Sequence, residues 1–299
     1  MMNAAFAQNP TDTGMAGTLS ALLDSHPDFQ WAILVDTAFD HPDPLFYQRD
    51  IHHNCYAFPE LAALQPAAPC LIPLANDEAS LALLQRMLFH CSGRPMFSLL
   101  ALTLKPEALV ARWRPLHWLH SHDGQKLLLR MADTRTVACL PAVLTPAQQA
   151  AWLHGIHAWY YIDRQGQLAS WQRPDVATTP ASLMTLDESQ FSALMAHTEA
   201  DQALTALRAG IPDDYHGADY FRDASRALQL ADQHGITSWS DRLTLIGVAC
   251  SPHGPCLTQG DLPRLLATYD GPAGTLGAWL AAQAEYRQAI AKAARIDNA

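Results

Sequence analysis

Fourteen histidines and six cysteines make metal or thiol chemistry the first possibility this chain raises. His117, His120 and His122 stand beside Trp118 and Asp123, and His120 and His122 would share a face only on a strand. Three local imidazoles with no further ligands at zinc-site spacing leave the coordination shell open, so surface or partly buried histidines are the simpler reading. His154 and His157 are three apart where the pattern reads as helical, and together could hold an ion, but no glutamate accompanies them in a zincin arrangement. Ile51-His52-His53-Asn54-Cys55 contains the residue types of a Cys/His nucleophile. Such pairs meet in space from distant segments, so adjacency in sequence argues little for it. Cys250-Ser251-Pro252-His253-Gly254-Pro255-Cys256 could act as a loop staple or weak metal grip, and its Pro and Gly punctuation first describes a loop between helices. Cys70, Cys91 and Cys139 sit among apolar neighbours, as reduced core thiols do. There is no G-x-S-x-G elbow, Walker lysine loop or G-x-G-x-x-G fingerprint.

One acid and base pair remains, in Leu127-Leu128-Leu129-Arg130-Met131-Ala132-Asp133-Thr134-Arg135. On a strand rising to Met131 the side chains alternate, which turns Arg130 away from Leu129 and toward the bend that follows. An aspartate at 133 can accept the orphan N–H groups of the next helix, and an arginine can close the network through a bidentate ion pair. Such a trio fixes a strand-to-helix corner without any substrate, and we read it as architecture.

The elements around it follow from periodicity. Trp31–Val35, Cys70–Leu74, Met96–Leu104 and Lys126–Met131 read as strands, with Pro73 marking an edge or strand end. Leu81, Leu84, Leu88 and Phe89 fall at helical spacing, and Pro106 opens a helix carrying Leu109, Val110 and Trp113. Thr134 can cap a helix bearing Val137, Leu140 and Val143, which Pro141 should shorten. Thr145-Pro146-Ala147-Gln148 is a capping box, and Trp159–Trp171 a hairpin closed by Asp163-Arg164-Gln165-Gly166. Beyond a Pro, Thr and Ser-rich stretch everything reads helical: a second capping box at Thr185–Glu188, then helices around Tyr220–His234 ending at Gly235, from Ser240, from Asp261 and from Gly274.

The expected architecture is a mixed α/β (α+β) N-terminal domain with a smaller all-helical C-terminal lobe. Its divisions are a flexible segment 1–27, an α/β domain 28–172, a linker 173–184 and a helical lobe 185–292. With 19 basic against 29 acidic residues and a net charge of −10, there is no basic cluster to neutralise phosphates, and nucleic acid is not an expected partner. No stretch approaches the roughly 18–20 apolar residues of a membrane span. The start MMNAAFAQNPTDTG lacks the basic and apolar regions of a signal peptide, so a cytoplasmic location is expected.

Taken in order, "WAILVDTAFD", "APCLIPL", "PMFSLLALT" and "LLLRMADTRTVACLPAVLTPAQQAAWLHGIHAWYYIDRQGQL" resemble the adaptor chaperones of bacterial type VI secretion. That family carries an apolar strand ending in Leu-Asp and, about a hundred residues later, an Arg-x-x-Asp-Pro-Arg corner. Val35-Asp36 matches the first element, and Arg130, Asp133 and Arg135 match the second, with Thr134 where the family has proline. The resemblance spans Gln30 to Trp171. It implies a non-enzymatic protein that binds a toxic effector, often through the effector's N-terminal region, and helps load it onto the valine-glycine-repeat spike protein, VgrG. It also implies no catalytic, cofactor or metal residues, and makes Asp36, Arg130, Asp133 and Arg135 a structural corner. The competing readings are a metal- or thiol-dependent hydrolase using His117, His120 and His122 or the Cys55 region, and an immunity-like module that binds a toxin to neutralise it.

Overall fold

Two of the strand segments are apolar on both faces, which demands cover on both sides of whatever sheet they join. The computed structural model describes residues 6–40, 52–75, 77–176, 184–207, 217–251, 254, 258 and 260–296. It places β1 (Gln30–Asp36) and β4 (Phe97–Leu102) side by side at the centre of a six-stranded sheet. β3 (Pro69–Leu74) flanks β1, and β2 (His53–Asn54) lies outside it; β7 (Ile156–Ile162) flanks β4, with β8 (Leu168–Gln172) outside that. The order is β2-β3-β1-β4-β7-β8, and every neighbouring pair is antiparallel.

Alternation along β1 sends Trp31, Ile33 and Val35 to one face and Ala32 and Leu34 to the other. The first face is covered by α1 (Met15–Ser25), through Met15, Leu19 and Leu23, and by α2 (Glu78–Cys91), through Leu84, Met87 and Leu88. The second is covered by α3 (Pro106–Leu116), α4 (Thr134–Val143) and α5 (Pro146–Trp152), whose Trp113, Leu140 and Trp152 pack with Trp159 and Trp171 of the sheet. A small second sheet, β5 (Trp118–His120) between β6 (Lys126–Leu128) and β9 (Met184–Thr185), pairs antiparallel with the former and parallel with the latter.

The fold class is thus the expected one: an antiparallel sheet with helices in the first half and a helical C-terminal region. The boundaries differ. The chain divides into Gln8–His197 and a unit built from Met1–Ala7 and Thr198–Ala299, so the second division falls inside α6 (Glu188–Leu207) and not at 173–184. The reason is that β9 joins β5, and Leu186 and Leu194 enter the core of the first unit. Residues 177–183 of the expected linker lie outside the described residues. Within the expected flexible segment 1–27, Met15–Ser25 is a helix buried along Leu19 and Leu23, an apolar stripe that needs a core to cover it.

The helical unit contains α7 (Gly217–Gln233), α8 (Trp239–Ala249), α9 (Asp261–Leu266), α10 (Leu276–Ala282) and α11 (Ala284–Ile296). The single helix expected from Gly274 is broken at Gln283, whose ψ of 122° is extended. Arg242 links three helices of this unit, with Nε and Nη2 on Glu199 at 2.6 and 2.9 Å and Nη1 on Asp232 at 2.7 Å. Buried Asp241 accepts the N–H groups of Gly274 (2.7 Å) and Leu276 (3.0 Å), where α10 begins.

Candidate functional site

β1 is wholly apolar from Trp31 to Val35 and then meets Asp36, a carboxylate 1% exposed. Such a group needs partners, and it has two. Its Oδ1 accepts the Ala38 N–H at 3.1 Å, capping the 3-10 turn Thr37–Phe39, and its Oδ2 accepts Arg130 Nη2 at 2.8 Å. Arg130 arrives from 94 positions away, on the extended stretch that follows β6.

The expected strand Lys126–Met131 is shorter than its apolar run, because Leu128 is the last residue paired in β6. The chain then turns: Met131 N–H donates to the Leu129 carbonyl and Asp133 N–H to the Arg130 carbonyl. The cap of α4 is Asp133 and not Thr134, which is the first helical residue. Asp133 Oδ1 accepts the backbone N–H of Arg135 at 3.0 Å, while the Arg135 guanidinium grips the same carboxylate with Nε–Oδ1 2.9 Å and Nη2–Oδ2 2.7 Å. The carboxylate, one residue earlier, takes the capping role, and the Thr134 N–H goes to the Pro95 carbonyl.

The two halves of the corner are joined in three ways. Arg130 Nη1 lies 3.9 Å from Asp133 Oδ2. Both guanidinium carbons lie near the Phe39 ring, Arg130 at 4.7 Å and Arg135 at 5.4 Å from its centroid. Adjacent carbonyls leading into β4 receive one N–H from each half, Pro95 from Thr134 and Met96 from Asp36. The structure therefore gathers Asp36, Arg130, Asp133 and Arg135 at one end of β1. Asp40, at the end of the 3-10 turn, adds a second ionic group with Arg94 at 2.7 Å and His90 at 2.9 Å. The pattern at 130–135 predicts the local half; nothing local names Asp40, His90 or Arg94, whose pairing depends on the fold bringing α2 beside β1.

The electrostatics suit a structural role. Burial raises the Asp36 pKa above its ordinary value, and the Arg130 charge opposes this only in part. The aspartates are held by donors, in the geometry that pins a corner.

Among the described residues the other candidates are not gathered into a metal-holding group. His117 is fully buried between Tyr56 and Phe58, its Nε2 donating to the Cys55 carbonyl at 3.0 Å. Burial lowers its pKa to about 4. His120 is partly buried on β5 and His122 is exposed in the turn beyond it. His154 and His157 do not share a helix, because α5 stops at Trp152 and His157 is on β7. Burial holds the Cys55 thiol well above its usual pKa, the opposite of an activated nucleophile. Cys250 is buried, and His253 and Cys256 lie outside the described residues, as does Ile51. Among the described residues no group of three or more His, Cys, Asp or Glu is placed to hold a metal ion, and no helix is long and apolar enough to cross a membrane. At the opposite end of β1 a groove of about 410 Å³ is lined by Leu23, Phe29, Trp31, Leu74, Lys105 and Glu107 among others.

These features define an α/β unit with an antiparallel sheet and an ion-paired corner. Residues 31–151 of it match the model of a family described as a domain of unknown function (DUF4123), a span that holds all four corner residues. No curated protein and no solved structure matches the chain.

Proposed function

We propose that this protein is a non-enzymatic adaptor chaperone that binds a type VI secretion effector in the cytoplasm and helps load it onto VgrG. The observation that carries the reading is the family match over residues 31–151, since that family is known for adaptors of type VI effectors. The geometry of the corner supports it: the acid and base residues that stand out in the sequence are bound to one another and to backbone N–H groups. A hydrolase reading draws no support from Cys55, whose thiol is buried and held protonated, or from His117, whose Nε2 is engaged by a carbonyl.

The test is co-purification. The tagged chain should retain the product of a neighbouring toxin gene, and the N-terminal segment of that toxin should suffice for capture. Addition of the cognate VgrG should give a ternary complex. Failure to bind any neighbouring product, or turnover of a substrate lost on replacing a corner residue in a folded variant, would count against the reading. An immunity-like module predicts instead that the chain alone rescues poisoned cells.

A further inference from the structure

In a chain with ten more acidic than basic residues, arginines readily find carboxylates, and Arg94, Arg114, Arg130, Arg135, Arg222 and Arg242 are each paired with one. Arg112 and Arg173 depart from that pattern, as do Arg86 and Arg287 among the described residues, but Arg112 and Arg173 converge. They reach one place from distant parts of the first unit, Arg112 from α3 and Arg173 from the residue after β8. Arg112 Nη2 donates to the Ala151 carbonyl at 2.6 Å, and Arg173 Nε to the adjacent Ala150 carbonyl at 3.3 Å. Neither has a carboxylate partner among the described residues. Arg112 is partly buried, with Nε shielded from solvent and lacking any hydrogen-bond acceptor.

Both charges act on His154. Its pKa is lowered first by burial and then by repulsion from both Arg112 and Arg173. Gly155 makes the turn that places it there: its φ is +90°, and a Cβ would lie 2.4 Å from Leu104 Cδ1. Capping the last turn of α5 accounts for one nitrogen of each guanidinium. A guanidinium has five N–H donors; with Arg112 Nε shielded and Arg173 Nε on a carbonyl, what remains for a carboxylate is the Nη1 of Arg112 and both Nη groups of Arg173.

The adjoining edge carries no further strand among the described residues. β8 is the last strand of the sheet and pairs only with β7 among the described residues. Edge strands are commonly blunted by charge, proline or a bulge; Leu168-Ala169-Ser170-Trp171-Gln172 has no charge and no proline, and it pairs with β7 without a register shift. Arg173 follows it directly.

We propose that Arg112 and Arg173 form a receptor for a carboxylate on an extended segment of a protein partner, which adds to the outer edge of β8. Strand addition supplies main-chain hydrogen bonds, and the paired guanidiniums select an acidic side chain and fix the register. This rests on the reading of the chain as a protein that holds another, and deepens it by giving the contact a place and a chemistry.

The probe is a pair of labelled octapeptides of alternating valine and threonine, one carrying glutamate near its end and the other glutamine, titrated against the full chain by fluorescence anisotropy. The glutamate peptide should bind at least about tenfold tighter. Arg173→Gln should abolish that preference without lowering the melting temperature much, because Arg173 is exposed; Arg173→Lys should keep part of it. Equal binding of the two peptides, or an unchanged preference in Arg173→Gln, overturns the proposal and leaves the arginines as helix caps. A dimer of the chain dispersed by Arg173→Gln also overturns it, in favour of a second copy on this edge. The peptides need no cargo, so the two readings fail separately. Cargo capture indifferent to Arg173→Gln sinks the site alone; a clear glutamate preference with no cargo captured sinks the adaptor role alone.

Discussion

Arg130→Met removes the positive end of the Arg130–Asp36 pair while keeping most of the aliphatic stem. It leaves a carboxylate 1% exposed with one remaining donor, the Ala38 N–H. Truncating one partner of a buried pair costs about 3–5 kcal/mol. Because the Arg130 side chain is 40% exposed, solvent already screens part of the attraction, and we discount the loss to about 2–3 kcal/mol. For a folding unit of this size that is a fall in melting temperature of roughly 5–10 °C.

The pH dependence sharpens the test. Asp36 is a carboxylate whose folded pKa is raised, so between its ordinary value and the folded value the native state holds more protons than the unfolded state. Stability therefore falls as pH rises through that window, and the cost of the buried charge is fully present above it. Without Arg130 the folded pKa rises further and the window widens upward. The deficit of Arg130→Met relative to wild type should be large at neutral pH and shrink on acidification, as Asp36 takes up its proton in the variant. Asp36→Asn keeps an oxygen to accept the Ala38 N–H and removes the buried charge, so it should cost less than Arg130→Met, about 1 kcal/mol or under. Urea melts of both single variants and the double variant, at each pH, measure the coupling. A deficit indifferent to pH, or Asp36→Asn as damaging as Arg130→Met, would refute the reasoning.

Asp133→Ala should lower stability by about 1–3 kcal/mol, from the lost helix cap and the lost ion pair to Arg135, with cargo capture by the folded fraction retained; thermal melts and pull-downs check both halves. Arg242→Ala should destabilise the helical unit by roughly 2–4 kcal/mol, since it strips Glu199 and Asp232 of one shared partner, and hydrogen exchange should show the loss in α7 and α8. His117 is held neutral with its pKa lowered from 6.5 to about 4, so the unfolded state binds the extra proton and stability is lost as pH falls from the first value toward the second. His117→Phe should remove about one proton from that acid slope, measured by chemical denaturation across the range.

Much of this was legible before any fold. The apolar runs Trp31–Val35 and Phe97–Leu102 required a sheet covered on both faces, and the Thr145–Gln148 capping box is present as read. The second box moved: Asp187 and Gln190 cap each other's N–H groups, at 2.8 and 3.2 Å, because Thr185 is drawn into β9. α4 runs to Val143 past Pro141, since Gln149 Nε2 bonds the Pro141 and Leu144 carbonyls left at its end. Local chemistry foretold Asp133 and Arg135, two residues apart. It could not pair Arg112 with Arg173, which meet only after α3 and β8 are laid against α5.

A recurrent device explains how an acidic chain tolerates so many inward-facing aspartates. Asp36, Asp133 and Asp241 are each buried at the boundary of an element, and each accepts a backbone N–H that the boundary leaves unpaired. A buried carboxylate is costly wherever donors are missing, so the sequence is stable only in the fold that supplies those donors at those corners. That cost against alternative packings accounts for acids at such positions where apolar residues would bury more easily. It also separates the corner from the Arg112–Arg173 pair, where among the described residues the guanidiniums meet only carbonyl oxygens. The first is complete within the chain, and the second has donors to offer a carboxylate from outside it.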